Sequence, residues 1–288
     1  MKNKTELAAR GALLLAAIIW GGTFVVLKSA IDAIPFCEVL AIRFSTAFIL
    51  LSVIFNKKLK QINKEYIWQG AIIGLCLFLA YYTQTIGLKN TTPGKNAFLT
   101  AFYCVMVPFL FWLVRGRKPQ AHNIIATVIA VCGIGLVSLD GNLTIGFGDG
   151  MTLVGGFFYA AHIVAVSSFT DEKDPVLITI IQFLFCAIFF WSLSLCTEEI
   201  TFAFSASQLG ELGFLAVCGT GMALLLQNVG QKHTNPSAAS ILLSLESVFG
   251  VAFSLILGAE VLSLRVGFGF LLIFIAVLIS EGIFRKEK

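Results

Sequence analysis

Three ionisable side chains lie inside long apolar runs of the sequence: Arg43, His162 and Glu246. Such groups are costly away from water, so they are retained mostly where they bind a ligand, move a proton or pair with one another. Glu246 lies near the middle of its run, where it could bind a cationic group or take up and release a proton. The alternative is a structural contact, for example a pair with Arg43, and both interpretations stay open.

Arg43 and His162 also have structural explanations. We expect Arg43 mainly to anchor helix packing, although it remains a candidate for substrate binding or coupling. An imidazole titrates near neutral pH when water reaches it, which makes His162 a candidate for proton coupling. A single buried histidine is more often a hydrogen-bonded packing residue, so that alternative is retained as well.

A polar motif occurs twice, as YYTQTIGLKNTTPGKNA at 81–97 and LLLQNVGQKHTNPSAAS at 224–240. Each copy has an apolar helix, a short polar turn and a second apolar helix that begins at proline, which suits a first helical turn. The matched positions are Gln84 and Gln227, Gly87 and Gly230, Lys89 and Lys232, Thr91 and Thr234, and Pro93 and Pro236. The spaced match predicts a tandem duplication with units at 1–145 and 146–288.

Composition sets the environment of these motifs. Hydrophobic residues make up 58% of the chain and charged residues 12%, which is too little polar surface for a soluble domain of this length. Several apolar runs approach the roughly 20 residues that cross a bilayer as a helix. Because the bilayer core offers no partner for an unpaired backbone amide, we expect an all-α integral membrane protein. The short connections leave no room for a nucleic-acid-binding domain.

The seven cysteines are scattered singly and form no C-x-x-C motif. Neither a metal site nor a disulfide framework is therefore indicated, and no cofactor is predicted.

The elements that must position the candidate residues are ten transmembrane helices. Their expected ranges are 10–30, 36–55, 66–88, 93–114, 122–139, 148–169, 175–196, 209–231, 236–257 and 264–284. With the N-terminus in the cytoplasm, fifteen of the 20 Lys and Arg residues fall on the cytoplasmic side and three outside. This bias predicts a multi-pass protein of the cytoplasmic membrane with both termini cytoplasmic.

Five helices per unit is an odd number, so the second unit must enter the membrane upside down. Charge agrees, because segment 56–65 carries four lysines whereas its counterpart at 197–209 carries Glu198 and Glu199 and no lysine. The expected fold is two inverted five-helix repeats, an arrangement that permits alternating access to a site near the membrane midplane.

Equivalent positions of inverted repeats meet near the axis that relates them, so repeat-related polar and aromatic residues are predicted to share a cavity. Tyr103 matches Glu246, and at an offset of 139 Trp20 matches Tyr159 and Arg43 matches Gln182. The predicted lining is Trp20, Gln84, Tyr103, Tyr159, Gln227 and Glu246, and Asn228 is a further candidate because it follows Gln227 directly. Aromatic walls with a few polar groups suit a small amphipathic or cationic ligand.

Two alternatives qualify this prediction. Trp20 and Tyr159 could equally serve helix packing. Tyr81 and Tyr82 are weaker candidates, because tyrosines near the end of a span commonly lie at the lipid headgroups.

The sequence also resembles a known family. The segments AAIIWGGTFVVLK at 16–28, ILLSLESVFG at 241–250 and LGAEVLS at 257–263, together with Arg43, are similar to EamA-type members of the drug/metabolite transporter superfamily. The resemblance implies a secondary transporter that exports metabolites, amino acids or drugs through a central cavity between the halves. Ser247 stands where the family often has proline, which puts a local kink in doubt.

The leading functional hypothesis is therefore export of a small molecule by alternating access, and import of a vitamin-like or amino-acid nutrient is the main alternative. An intramembrane enzyme is disfavoured because the sequence has no H-E-x-x-H motif and no paired intramembrane aspartates. The expected partners are a small-molecule substrate, the lipid bilayer, and a proton or exchange substrate. A monomer is sufficient for this mechanism, and a weak homodimer is compatible with it.

Overall fold

A computed structural model describes residues 2–116, 118–139, 145–170, 173–234, 236–259 and 261–280. Ten helical segments account for most of them. They are α1 Lys2–Ala33, α2 Phe36–Ile54, α3 Lys64–Lys89, α4 Pro93–Arg115, α5 Ala121–Ser138, α6 Phe147–Phe169, α7 Pro175–Thr197, α8 Ala206–Lys232, α9 Pro236–Ile256 and α10 Leu264–Ser280.

Within the described residues, seven of these helices are long and apolar enough to cross a membrane, namely α1 to α4 and α6 to α8. Helices α5, α9 and α10 are apolar over shorter lengths. The prediction of an all-helical membrane protein is confirmed, whereas ten spans in two inverted repeats stays a prediction. The expected ranges agree with the helices to within a few residues, except that α1 begins at Lys2 instead of residue 10.

Some sequence predictions concern positions outside the described residues. They are the end of the tenth span at 281–284 and the charges of Arg117, Asp140, Arg285, Lys286 and Lys288.

Local sequence signals explain several helix ends. The Asn63 side chain accepts the backbone N–H groups of Glu65 and Tyr66 at the start of α3, and Thr92 accepts from Lys95 at the start of α4. These acceptors satisfy donors that have no partner inside a first helical turn. At the other end of α4, Gly116 has φ 72°, a left-handed conformation that glycine adopts without steric cost.

The pattern of helix packing repeats when the helix numbers are shifted by five. Helix α3 packs on α6 as α8 packs on α1, and α4 packs on α6 as α9 packs on α1. Helices α2 and α7 pack on each other, as do α5 and α10. Two bundles result: the first contains α3, α4 and α6, and the second contains α1, α8 and α9.

Each bundle therefore mixes the two sequence units, because α6 lies in the first bundle and α1 in the second. The sequence predicted that the two units, 1–145 and 146–288, face each other across the cavity. In the structure the two mixed bundles face each other instead, since α1 and α6 pack mainly on helices of the other unit.

Connecting segments identify two ends of the molecule. At the lysine-rich end, formed by 56–65, 173–175 and 232–234, Lys58 Nζ lies 2.6 Å from Asp174 Oδ2, and Lys173 pairs with Glu65. At the opposite end, formed by 34–38, 89–95, 145–149 and 197–206, Glu198 accepts the backbone N–H groups of Cys37 and Glu38 at 3.0 Å. Segments 56–65 and 197–206 thus lie at opposite ends.

Glycine permits close helix crossings at repeat-related places. A Cβ atom on Gly87 of α3 would lie 2.8 Å from the carbonyl oxygen of Gly148 in α6, and one on Gly230 of α8 would lie 3.0 Å from that of Ala9 in α1. Such spacing leaves no room for a larger side chain.

Candidate functional site

A narrow, partly enclosed cavity lies between the two bundles, and its outline encloses about 500 Å³, part of which is open to solvent. The first bundle supplies Tyr81, Gln84, Tyr103, Tyr159 and Ile163, and the second supplies Trp20, Thr23, Phe24, Leu27, Gln227, Leu243 and Glu246. Arg43 enters from α2. Both bundles and both sequence units therefore contribute side chains to one space.

The structure brings together all six residues that the sequence predicted to share a cavity. They are Trp20, Gln84, Tyr103, Tyr159, Gln227 and Glu246. Their role in binding stays a prediction.

Two further candidates lie elsewhere, between α6, α7 and α8. His162 Nε2 lies 3.1 Å from Gln182 Oε1, and Asn228 Nδ2 donates to Thr179 Oγ1 at 2.8 Å. Neither His162 nor Asn228 contacts the cavity in this conformation.

Arg43 faces the cavity while being only 1% exposed. Its Nε donates to Thr220 Oγ1 at 3.0 Å, and its guanidinium carbon lies 5.2 Å from the ring centroid of Tyr81. This contact with the ring face is a cation–π interaction. Nη1 makes no hydrogen bond to the described part of the chain, so one donor of a buried cation is left for a ligand or water.

Glu246 is 6% exposed and lines the cavity from α9. Its repeat equivalent, Tyr103, lines the same cavity from α4. Among the ion pairs of the described residues, none joins Glu246 to Arg43. Glu246 and Arg43 are thus not paired in this conformation, and a structural role for Glu246 through another polar contact stays open.

Three tyrosines form a wall of the cavity. The ring centroids of Tyr81 and Tyr159 are 5.6 Å apart, and those of Tyr103 and Tyr159 are 6.3 Å apart. Gln84 supports this wall, because its Oε1 accepts the Tyr159 hydroxyl at 2.8 Å while its Nε2 donates to Thr100 Oγ1 at 3.0 Å. Arg43 contacts this wall at Tyr81, and Glu246 lines the same cavity as the wall.

Helix α8 is π-helical over Leu215–Met222, beside Arg43. Thr220 Oγ1, which accepts from Arg43, donates to the Leu215 carbonyl at 2.8 Å, and the Gly219 carbonyl accepts Trp20 Nε1 at 2.9 Å. A π-helical turn departs from the regular i→i−4 bonds and often occurs at functional sites. Here it orients two cavity residues from other helices.

Sequence reasoning missed several lining residues and misplaced one. Tyr81, weighed as a headgroup tyrosine, is 4% exposed and lines the cavity. It lies three residues before Gln84 and hence on the same helix face. The same spacing connects Thr23 with Trp20 and Leu243 with Glu246, so extending each predicted residue by three positions in both directions would have included all three.

The arrangement can hold a small molecule between groups of opposite charge, but it offers no obvious metal site. Within the described ranges, no three His, Cys, Asp or Glu side chains are grouped as metal ligands would be.

An apolar helical exterior and a mainly apolar cavity that holds a few polar and charged side chains from several spanning helices are typical of multi-pass membrane transporters. The sequence matches the model of the EamA-like transporter family over residues 9–139 and again over 146–281. The chain belongs to this family.

Relatives agree with the assignment. The chain is 33% identical over 270 residues to an uncharacterized transporter of Archaeoglobus fulgidus, a match that covers 93% of this chain and 83% of the relative. It is 24% identical to the uncharacterized inner membrane transporter YedA of Escherichia coli K12, covering 98% and 94%.

The fold is also similar to that of a protein solved by crystallography. The TM-score is 0.68 at 14% identity, with 93% of this chain and 94% of the other covered. Membership of a transporter family implies a small-molecule substrate and a lipid bilayer around the helices.

Proposed function

We propose that this protein is a secondary active transporter that exports a small zwitterionic metabolite across the cytoplasmic membrane by alternating access. One observation carries the proposal. Arg43 and Glu246 line the same cavity, both are buried, and none of the ion pairs in the described part of the chain joins them.

The energetic reason is the cost of buried charge. A charged group without an opposite partner is strongly destabilising in an apolar interior. A ligand that carries an anionic and a cationic group would offset both costs at once, with its anion at the free Nη1 of Arg43 and its cation at Glu246. The sequence suggested an amphipathic or cationic ligand, and the position of Arg43 in the cavity adds the anionic group.

The tyrosine wall favours a substrate with an apolar or aromatic body between its charges. Tyr81, Tyr159 and Tyr103 run between the two charged residues, and their ring faces and edges suit stacking or edge contacts. Trp20 and Leu243 add apolar surface opposite.

Alternating access is supported by the packing pattern. Inverted repeats at 1–145 and 146–288 explain why helix contacts recur after a shift of five. They also explain contacts between equivalent residues: the rings of Phe44 and Phe183, which match at offset 139, are 5.8 Å apart. Rocking of one mixed bundle against the other would expose the cavity at each end in turn.

Glu246 is the proposed coupling residue, exchanging its proton or its cationic ligand as the cavity changes sides. The lysine-rich end is the proposed cytoplasmic end, because positive charge favours that side. Location in the cytoplasmic membrane is further supported by the name of the YedA relative.

A metabolite screen tests the proposal. Wild type, Glu246→Gln, Arg43→Gln and the control Glu6→Gln, whose side chain is exposed, are produced at equal levels, and compounds are measured inside and outside cells. A zwitterionic compound should accumulate outside with wild type and Glu6→Gln. Because loss of a buried charged contact costs about 2 kcal/mol or more, we expect roughly a 30-fold loss with the other two variants.

Contrary outcomes are equally specific. Full transport by Glu246→Gln rejects its coupling role, and a transported compound without an anionic group rejects the zwitterion. Accumulation inside the cell would reverse the direction to import.

A further inference from the structure

A second buried polar cluster lies between α6, α7 and α8, on the lysine-rich side of the cavity. It consists of His162, Gln182, Thr179 and Asn228, none of which has exposed surface. Gln182 lies seven residues into α7, or about 10 Å from the lysine-rich end at the rise of an α-helix. The cluster is thus deep in the molecule yet displaced from the midplane.

Only some of the polar atoms in this cluster have hydrogen-bond partners. Two hydrogen bonds join its members, but His162 Nδ1, Gln182 Nε2 and Asn228 Oδ1 have no partner within the described residues. A buried polar atom without a partner costs about 1–3 kcal/mol, so three in one place call for an explanation. A partner that arrives in another conformation provides one.

The repeat relation points to the conformation in which the cavity opens toward the lysine-rich end. At the offsets of 139 and 143, His162 is equivalent to Thr23, Gln182 to Arg43 and Asn228 to Thr85. Thr23 and Arg43 line the cavity now, and the Thr85 hydroxyl is buried without a partner, as its equivalent amide oxygen is. The cluster is therefore the counterpart, toward the lysine-rich end, of the Arg43 side of the cavity.

We propose that His162, Gln182 and Asn228 form a second substrate subsite, which lines the cavity when it opens toward the lysine-rich end. This inference rests on the alternating access proposed above. There the free amide group Nε2 of Gln182 donates a hydrogen bond to the anionic group of the substrate. Because His162 Nε2–H donates to Gln182 Oε1, His162 Nδ1 is an acceptor. It and Asn228 Oδ1 accept from the substrate's N–H groups.

The two subsites differ in charge, and this gives the proposal a distinctive signature. Arg43 attracts an anion by its charge, whereas Gln182 at the equivalent position offers only neutral hydrogen bonds. A charged probe should therefore distinguish the Arg43 side of the cavity from the Gln182 side even before the substrate is known.

Cysteine accessibility in the full-length protein provides the test. Native cysteines other than Cys186 are replaced, and Thr23→Cys or Gln182→Cys is added. Cys186 is fully buried one turn beyond Gln182 on α7 and donates to the Gly74 carbonyl, so it is an unreactive internal control. Asn56→Cys and Ala203→Cys mark the lysine-rich and opposite ends in proteoliposomes.

The probes are the impermeant reagents sulfonatoethyl methanethiosulfonate, an anion, and trimethylammonioethyl methanethiosulfonate, a cation. We expect Gln182→Cys to react from the lysine-rich side with a charge preference of less than about threefold. We expect Thr23→Cys to react from the opposite side, with the anion favoured about tenfold because Arg43 is adjacent. In a third variant that carries both Thr23→Cys and Gln182→Cys, prior labelling at position 23 should slow the reaction at position 182 about tenfold, since only one side opens at a time.

Failure of this inference and failure of the proposed function are distinguishable. If Gln182→Cys stays as unreactive as Cys186, or reacts only from the Thr23 side, while the metabolite screen shows transport, the second subsite is overturned and transport stands. If both positions label as expected but no compound responds to Glu246→Gln, the subsite stands as a hydrated polar site and the coupling role fails.

Discussion

The interfaces α3–α6 and α8–α1 are repeat equivalents that share their backbone contacts and differ in their chemistry. Gly87 meets Gly148 and Thr152, and Gly230 meets Ala9 and Leu13 at the matching positions. The α3–α6 interface then adds polar bonds such as that between Gln84 and Tyr159. The residues facing Gly230 are apolar instead.

The shared glycine crossings stabilise the fold, whereas the side chains that differ between the two interfaces determine which ligand can bind. The close crossings are needed twice, because each bundle is built around one. The side chains farther along the same helices face the cavity and have diverged, so that one bundle presents three tyrosines and the other presents Glu246.

The largest expected effect comes from breaking the shared crossings. Gly87→Leu and Gly230→Leu should each destabilise the protein by about 3 kcal/mol, since the side chain would collide with a facing helix. Gly210→Leu is the matched control on α8, because a Cβ there meets no other atom within 4 Å. Thermal unfolding in detergent and the monodisperse fraction measure the loss, and sensitivity at only one crossing would contradict their equivalence.

The comparison also shows what sequence could predict. Repeat alignment found six cavity residues because equivalent positions of the two units approach the same axis. It could not show that α1 and α6 exchange between bundles, since chain order does not record packing. Tyr81 was a weaker candidate because it lies near a span end, and only the contacts in the folded protein place it against Arg43.

A smaller effect should distinguish Gln84 from Gln227. Gln84→Leu removes the acceptor of the Tyr159 hydroxyl and the donor to Thr100, both buried, so we expect a stability loss of about 2 kcal/mol. Gln227→Leu should cost less than about 1 kcal/mol while still impairing transport, because its side chain faces the cavity. Equal losses of stability would show that both glutamines serve packing.

The smallest effects concern the two ends of the α2–α7 pair. Glu198→Ala removes a carboxylate that accepts two backbone N–H groups at the start of α2, which should cost about 1 kcal/mol. Lys58→Ala breaks an ion pair whose lysine is 40% exposed, which should cost about 0.5 kcal/mol or less. Unfolding midpoints in detergent measure both losses. A larger loss for Lys58→Ala than for Glu198→Ala would show that contacts at the lysine-rich end stabilise the protein more.

The π-helical stretch of α8 has a consequence for how the two repeats can vary in length. A wider turn accommodates one residue more than an α-helical turn of similar rise. Deleting one residue between Leu215 and Met222 would let the stretch wind back to an ordinary helix while Ala206–Phe214 keeps its orientation. Glu211 would then keep its bond to Ser29, which is 2.8 Å long. Deleting one residue from the α-helical part, Ala206–Phe214, would instead rotate the residues before the deletion by about 100°. The π-helical turn thus absorbs one extra residue, so that both segments of α8 keep their orientation toward the neighbouring helices.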